Sequence, residues 1–407
     1  MRTLFLLDLD CFFASVEMAR RPELRGVPLC VGGLRGERGI VACPNYEARR
    51  YGVKTAMPIR TAERLLPSDA VFLRGNHRLY GEYADRVMSI LHDFTPDVEQ
   101  VSVDEAYMDV TGCLHLWRHD PLCMAAAMKE RIRRECGLTV SIGIASRRVC
   151  AKIAAGLRKP DGLVRVPDGG EEAFLFPLPV EMLPGVGPKT LPKMLTRGVV
   201  TIGDLMAEAR AGRSRLGQHL LDVLSGTEGE TIRGDRVEHS ISRDTTFGHD
   251  TMDPVLITAT MYYLLERCCK TLRSRNQMAA TVTSKVRFAD FTTVQRQVTL
   301  ASPTANEEVL FPVVRRLTGM LLQHNRSIRL VGVKVSHLCA GEEAVRQIDL
   351  GLTRSAALGL LHRHLDTLQE KHGYHAIQWG ITCVLRGKFD GDEEGYRLHS
   401  PVYGMRV

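Results

Sequence analysis

The chain has 407 residues, 44% hydrophobic and 25% charged, and its 54 Lys and Arg outnumber 47 Asp and Glu for a formal charge of +7. That composition excludes a disordered tail protein, a collagen-like fibre and a coiled coil, and the length suits about two to four domains. No run approaches the ~18 apolar residues of a membrane span, the apolar run Leu4–Leu7 is too short for a signal peptide, and eleven scattered cysteines without a Cys-x-x-Cys pair suit a reducing cytoplasm.

Residues 4–7 read as a buried strand whose C-terminal end presents Asp8, with Asp10 two residues on. A helix over 12–20 follows, then a short strand at Pro28–Val31. The glycine-rich stretch 32–39 is not Gly-x-Gly-x-x-Gly and reads as a turn between strands. Residues 80–93 are helical, with Tyr83, Val87, Ile90 and Leu91 on one face. Residues 101–110 alternate as one strand, 120–135 are helical, 138–144 form a strand and 147–157 a helix. Strands and helices mix without strict alternation, which predicts an α+β sheet. Short helices with Gly and Pro punctuation fill 168–230, and the polar stretch 231–242 is the best linker. Beyond it lie helices at 255–275 and 305–323 and strands at 281–289 and 329–336. A last helix, 353–372, repeats Ala357, Leu361, Leu365 and Leu368.

Charge is uneven along the chain. Residues 231–340 hold 15 Lys and Arg against 9 Asp and Glu, nearly the whole net excess. A polyanion partner there is one reading, and a solvated basic surface the other. In 281–288, alternation puts Thr283, Lys285 and Arg287 on one face and Val282, Val286 and Phe288 on the other. Lys334 and Ser336 share a face of the second strand, Arg329 starts it, and Ser242 and Arg243 are further phosphate-binding candidates.

Three carboxylates stand out: Asp8, Asp104 and Glu105, each in or at the end of a strand with apolar neighbours. A charged carboxylate there is costly without a compensating cation. Two strands of one sheet can bring Asp8 against Asp104 and Glu105, and oxygen-rich sites of this kind suit Mg2+ or Mn2+. The alternative is that all three are partly exposed strand ends. Asp10, Glu17 and Asp109 are weaker candidates, and Asp10 could instead cap the next helix.

Five pieces, in order, resemble the Y-family DNA polymerases, most closely the DNA polymerase IV (DinB-type) branch. They are Asp8-Leu9-Asp10-Cys11-Phe12-Phe13-Ala14-Ser15-Val16-Glu17, Asn45-Tyr46-Glu47-Ala48-Arg49-Arg50-Tyr51-Gly52-Val53, Ser102-Val103-Asp104-Glu105-Ala106-Tyr107, Ala151–Ala155 through Lys159-Pro160-Asp161-Gly162, and Leu183-Pro184-Gly185-Val186-Gly187. The resemblance implies a right-handed α+β polymerase: palm at 1–10 and 75–165, small fingers at 11–74, a helical thumb with a helix-hairpin-helix at 166–230, a linker at 231–240, an α/β little finger at 241–340 and a tail at 341–407.

The resemblance also implies roles. Asp8, Asp104 and the Leu9 carbonyl would bind metal, and Glu105 would hold the ion that activates the primer 3′-hydroxyl. Two Mg2+ ions are expected, with Mn2+ as a substitute. Phe13 matches the steric gate against the 2′-hydroxyl; Phe12 beside it is grouped with the nucleotide-binding residues, although its ring is expected in the core. Tyr46, Arg49 and Lys159 match the triphosphate clamp, and Tyr46 and Arg49 share a helix face. Cys43 departs from the Thr or Ser of many relatives, and a thiol is a weak donor. Gly185, Gly187 and Lys189 belong to the hairpin turn that approaches DNA phosphate. Gln347, Ile348, Leu350 and Leu352 resemble a sliding-clamp peptide.

The expected function is DNA-directed DNA synthesis of low fidelity across lesions, by a cytoplasmic monomer using primer–template DNA and deoxynucleoside triphosphates. A silent DNA-binding paralogue is the main alternative, but such chains lose the three carboxylates. A nucleotide cyclase would leave the hairpin and the basic segment without a role.

Overall fold

The computed structural model describes residues 2–226, 232, 238–322, 325–341, 353–389, 391–392 and 395–396. The chain divides into two units, Met1–Arg236 and Val237–Tyr403.

The first unit opens with β1 (Leu4–Leu9) and α1 (Phe12–Arg20). There follow β2 (Leu29–Gly32), β3 (Cys43–Pro44), α2 (Tyr46–Arg50), α3 (Ile59–Leu65) and β4 (Val71–Arg74). The strands β3-β2-β4 make a small sheet over its own core of Cys30, Val41, Ile59 and Phe72. Then come α4 (His77–His92), β5 (Val98–Gln100), β6 (Glu105–Asp109), α5 (Pro121–Cys136), β7 (Val140–Ala145), α6 (Arg148–Leu157) and β8 (Leu163–Arg165).

The main sheet has the order β5-β6-β1-β7-β8. β1 lies between two antiparallel partners and is covered on both faces, so it reads as a nearly unbroken apolar run. Phe5, Leu7 and Leu9 pack with residues of α4 and α5, while Leu6 packs with residues of α6. Asp8 shares the face of Leu6. The strand expected over 101–110 is two strands: a tight turn at 101–104 separates β5 from β6, closed by backbone bonds from Val101 and Ser102 to the Glu105 carbonyl at 3.0 and 3.3 Å. The short helices α7 (Glu171–Leu175), α8 (Leu191–Leu195), α9 (Ile202–Arg210) and α10 (Arg215–Ser225) complete the unit. A capping box between Thr201 and Asp204 starts α9.

The second unit runs β9 (Ser240–Thr251), α11 (Pro254–Ser274), β10 (Gln277–Phe288), β11 (Thr293–Thr304), α12 (Glu307–Leu321) and β12 (Ile328–Ala340). The antiparallel sheet has the order β11-β10-β12-β9. Residues of α11 and α12, among them Leu264, Leu265, Val314 and Leu317, form one core with Val282, Val286 and Val333. Two of the four strands, β9 and β11, exceed the sequence reading. They flank the sheet and carry charged and polar residues at many positions, which weakens their apolar alternation. The linker assigned to 231–242 thus overlaps the start of β9.

The chain ends in α13 (Thr353–His372), β13 (Gly391–Asp392) and β14 (Gly395–Tyr396). α13 is reversed from the sequence reading. Leu361 and Leu368 are exposed, whereas His362 and Gln369 are buried. The buried side is held by Arg273 of α11, which donates to Asp366 at 2.6 and 2.9 Å and to Glu307 at 2.8 Å. Tyr374 donates to Glu266 at 2.7 Å and packs edge-on against Tyr263 and Tyr396. Polar satisfaction, not apolar burial, therefore decides which face of α13 turns inward. Among the described residues no helix is long and apolar enough to cross a membrane.

Candidate active site

The site forms where β1 ends and β6 begins. Asp8 lies opposite Glu105 on β6 and Ser141 on β7, so all three share one face of the sheet. Asp104, in the turn before β6, is tied beside them because its carbonyl accepts from the Leu9 N–H at 2.9 Å. Ser102 donates to the Asp104 carboxylate at 2.5 Å. The Leu9–Asp104 backbone bond and the Asp8–Glu105 pairing thereby bring three carboxylates from two chain segments to one corner.

The electrostatics are those of crowded acids. Burial pushes the Asp8 carboxyl up to about 7, opposed by Lys159 and reinforced by Glu105 and Asp104. Burial likewise raises Asp104, against the Ser102 hydrogen bond. Two lysines answer the charge: Lys159 pairs with Asp8, and Lys152 donates to both Glu105 oxygens at 2.7 and 2.9 Å. In sequence Lys152 reads as one more helix lysine; only its three-dimensional place on α6 reveals its partner.

Asp10 proves to be scaffold. It is 1% exposed, accepts from Ser141 at 2.8 Å and from the Asp161 N–H at 2.7 Å, and does not cap α1, whose N-cap is Cys11. These bonds fasten the 159–162 loop to the end of β1 and so hold Lys159 beside Asp8.

The neighbouring aromatic wall comes from α1 and α4. Phe13 is half-buried and stacks on Tyr80 with ring centroids 4.4 Å apart and planes 14° apart. Tyr80 is locked from behind by a 2.8 Å bond to buried Glu17. Phe12 is 2% exposed and belongs to the core, so its side chain is not offered to a nucleotide. Beside this wall, Asn45 caps α2 by accepting from Ala48 at 2.9 Å. Tyr46 and Arg49 follow on α2, with the guanidinium 5.2 Å over the ring. Burial and the nearby Asp10 raise the Tyr46 phenol, keeping it a donor. Cys43 is buried, and burial raises its thiol, against the nearby backbone N–H groups of Ala14 and Phe13 and the Arg49 charge.

Farther along the first unit, Gly185 takes φ +95° and Gly187 has open space where a side chain would stand. Leu183 and Val186 anchor this turn in the core, and Lys189 is exposed. In the second unit, Ser242, Lys334 and Thr283 form one cross-strand row, and Asp244, Gly332 and Lys285 the next. Lys285 bonds Asp244 at 2.5 Å across Gly332. Arg287 donates to Thr293 at 2.8 Å, and Arg329 stacks 4.4 Å over Phe291. Arg243 pairs with Val333 and lies on the opposite face, near Tyr263 and Cys268 of α11. Adjacent strand residues point apart, so Ser242 and Arg243 cannot belong to one surface. Gln347, Ile348, Leu350 and Leu352 lie outside the described residues.

The first unit matches the impB/mucB/samB family over residues 7–156, and the second matches the C-terminal domain of that family over 238–350. A DNA polymerase IV of Dehalococcoides mccartyi strain CBDB1 is 40% identical over 394 residues, covering 95% of this chain and 99% of the relative. DNA polymerase IV 2 of Mesorhizobium japonicum is 36% identical, covering 96% and 97%. The chain belongs to the Y-family DNA polymerases, in the DinB-type branch. It is a DNA-directed DNA polymerase, and with the family comes a dependence on divalent metal. Solved structures agree in fold. A chimera of the Y-family polymerases Dbh and Dpo4 aligns with a TM-score of 0.73 at 25% identity, over 83% of this chain and 99% of that one. DinB from Sulfolobus solfataricus aligns at 0.55 and 26% identity, over 82% and 98%.

The acidic corner suits such a metal. Hard carboxylate oxygens crowd together with more negative charge than two partly exposed lysines offset. Among the described residues no group of three or more His, Cys, Asp or Glu side chains is gathered closely enough to hold a metal ion by itself. Mg2+ is ordinarily held by one or two carboxylates, with phosphates and water completing its shell.

Proposed function

We propose that this polymerase adds deoxynucleotides to a primer 3′-end with two Mg2+ ions held by Asp8, Asp104, Glu105 and the Leu9 carbonyl, and that it copies damaged templates at low fidelity. The observation that carries this reading is the Asp8–Glu105 pairing across β1 and β6 with Asp104 fastened to Leu9. When bound, the ions supply Lewis-acid activation of the 3′-hydroxyl and neutralise the phosphates.

The residues present do the positioning. Tyr46 and Arg49 donate to the triphosphate from α2, and Lys159 reaches it from the loop that Asp10 fastens. Phe13, braced by Tyr80 and Glu17, closes the space a 2′-hydroxyl needs. The palm of this reading is the main sheet, and the fingers are the small β3-β2-β4 layer. So slight a layer makes a loose grip on the nascent pair, which supports tolerance of lesions.

DNA phosphates meet the turn at Gly185 and Gly187, where no side chain stands in the way, together with Lys189. They also meet Ser242, Lys334, Lys285 and Arg287 on one face of the second unit's sheet, and Arg329 at the start of β12. A solved structure of similar fold, the insertion ternary complex of Dbh DNA polymerase, supports the polymerase reading. A sliding clamp remains the proposed partner of Gln347–Leu352.

Primer extension with Mg2+ tests the reading. The Asp104→Ala, Glu105→Ala variant should lose incorporation by about 10³-fold or more while retaining primer–template binding. Ordinary incorporation by that folded variant would overturn the assignment.

A further inference from the structure

Glu105 is gripped from outside the acid cluster. Lys152 donates to both of its oxygens, at 2.7 and 2.9 Å, with side-chain exposures of 38% for the lysine and 21% for the glutamate. The helix that carries Lys152 has little freedom to withdraw. α6 lies so close to β7 that a Cβ on Gly143 would fall 2.0 Å from the carbonyl oxygen of Ala151, the residue before Lys152. At the start of α6, Arg148 bonds buried Glu99 at 2.6 and 3.0 Å and lies 4.0 Å over the Tyr107 ring.

The second lysine differs in its support. Lys159 stands on a loop, pairs with Asp8, and belongs to the residues proposed for the triphosphate. Incoming phosphates offer Lys159 a new partner and release Asp8. Lys152 sits on a packed helix with both oxygens of one carboxylate in its grip. A divalent ion that uses Glu105 meets the Lys152 ammonium at the same two oxygens, where the two cations repel each other.

We infer that Lys152 is a positioning residue that competes with the ion at Glu105 and makes that ion the more weakly held of the two. The inference rests on the proposed reading of Glu105 as an ion ligand. Lys152 sets the Mg2+ concentration at which the corner fills. The two ion positions thereby respond to different events: nucleotide phosphates free Asp8, whereas Glu105 yields only to the ion itself.

The direction of the expected change separates this role from structural support. Loss of a merely structural contact would weaken ion binding, whereas loss of a competitor tightens it. Mn2+ titrations followed by electron paramagnetic resonance would use the full chain with a dideoxy-terminated primer–template and the next nucleotide. Lys152→Met should tighten the weaker class of Mn2+ about five-fold, the order of a partly exposed ion pair. Lys152→Arg should titrate like the parent, and thermal melts would establish that each variant is folded. Glu105→Gln should lose the weaker class. Unchanged or weaker Mn2+ binding by folded Lys152→Met, with the class lost in Glu105→Gln, would overturn the role of Lys152 alone. Retention of both classes by Glu105→Gln would overturn the ligand reading of Glu105 as well.

Discussion

Gly143→Ala tests how the sheet positions the chemistry. Gly143 lies opposite Leu6 on the face that carries Asp8, beneath α6. An alanine Cβ would stand 2.0 Å from the Ala151 carbonyl oxygen and 2.5 Å from the Ala155 nitrogen. Both are backbone atoms, so no side chain can rotate aside and the helix must retreat by over 1 Å to reach a normal ~3.3 Å contact. Overpacking of this severity costs about 3 kcal/mol, and replacing glycine in a strand returns up to about 1 kcal/mol. The net loss of about 2 kcal/mol lowers the melting temperature of a unit this size by roughly 4–8 °C. The same retreat pulls Lys152 from Glu105 and shifts the loop bearing Lys159. A displacement of ~1 Å at a reacting centre can cost about 10²-fold in rate. Differential scanning calorimetry and single-nucleotide incorporation measure the two effects. A variant that melts within about 1 °C of the parent and incorporates at the parental rate would refute this account of α6.

Gly332→Ala places a comparable overlap on a movable group. The new Cβ would stand 1.8 Å from Asp244 Oδ1, a side-chain end that can rotate away. Stability should change by less than about 1 kcal/mol, while Lys285 loses Asp244 and turns to phosphate. Anisotropy titrations should show tighter DNA binding and a salt slope larger by about one; weaker binding would contradict the surface assignment. Phe13→Ala should reduce discrimination against ribonucleotides at least about tenfold in competitive incorporation, and unchanged discrimination would remove Phe13 from the gate. Glu307, buried beside Arg273, is raised by burial from 4.5 to about 7. The folded chain therefore binds this proton more tightly than the unfolded chain, so the contribution is full below pH 4.5 and is lost as pH rises through about 7. Urea melts of the second unit should lose up to about 3 kcal/mol between pH 5 and 8 from this group, and Glu307→Gln should flatten that slope. An equal slope in the variant would assign the pH dependence elsewhere.

What the sequence made legible follows from where information is local. Asp8 closes an apolar run, and Asp104-Glu105 interrupts another, so both announce costly charge from composition alone. Tyr46 and Arg49 are equally local, because a three-residue spacing defines their helix face. Lys152 was hidden because a lysine on a helix resembles a solvated one until the partner strand is known. β9 and β11 were missed because edge strands carry polar residues that blur their alternation. Leu361 and Leu368 suggested the buried side of α13, but Arg273, Glu307 and Glu266 are distant in sequence and draw the polar side inward. Phe12 and Phe13 are neighbours of one residue type, which the family resemblance tells apart in sequence and which burial of Phe12 and the Phe13–Tyr80 stack tell apart in the structure.

The central claim is that Asp8, Asp104 and Glu105 hold two ions against the primer end and the nucleotide. Anomalous diffraction from crystals of the enzyme with Mn2+, dideoxy-terminated primer–template and incoming nucleotide tests it most directly. The account predicts two anomalous peaks touching Asp8 and Asp104, one of them also touching Glu105 and the other the Leu9 carbonyl. Fully occupied nucleotide with no peak at these carboxylates would contradict it.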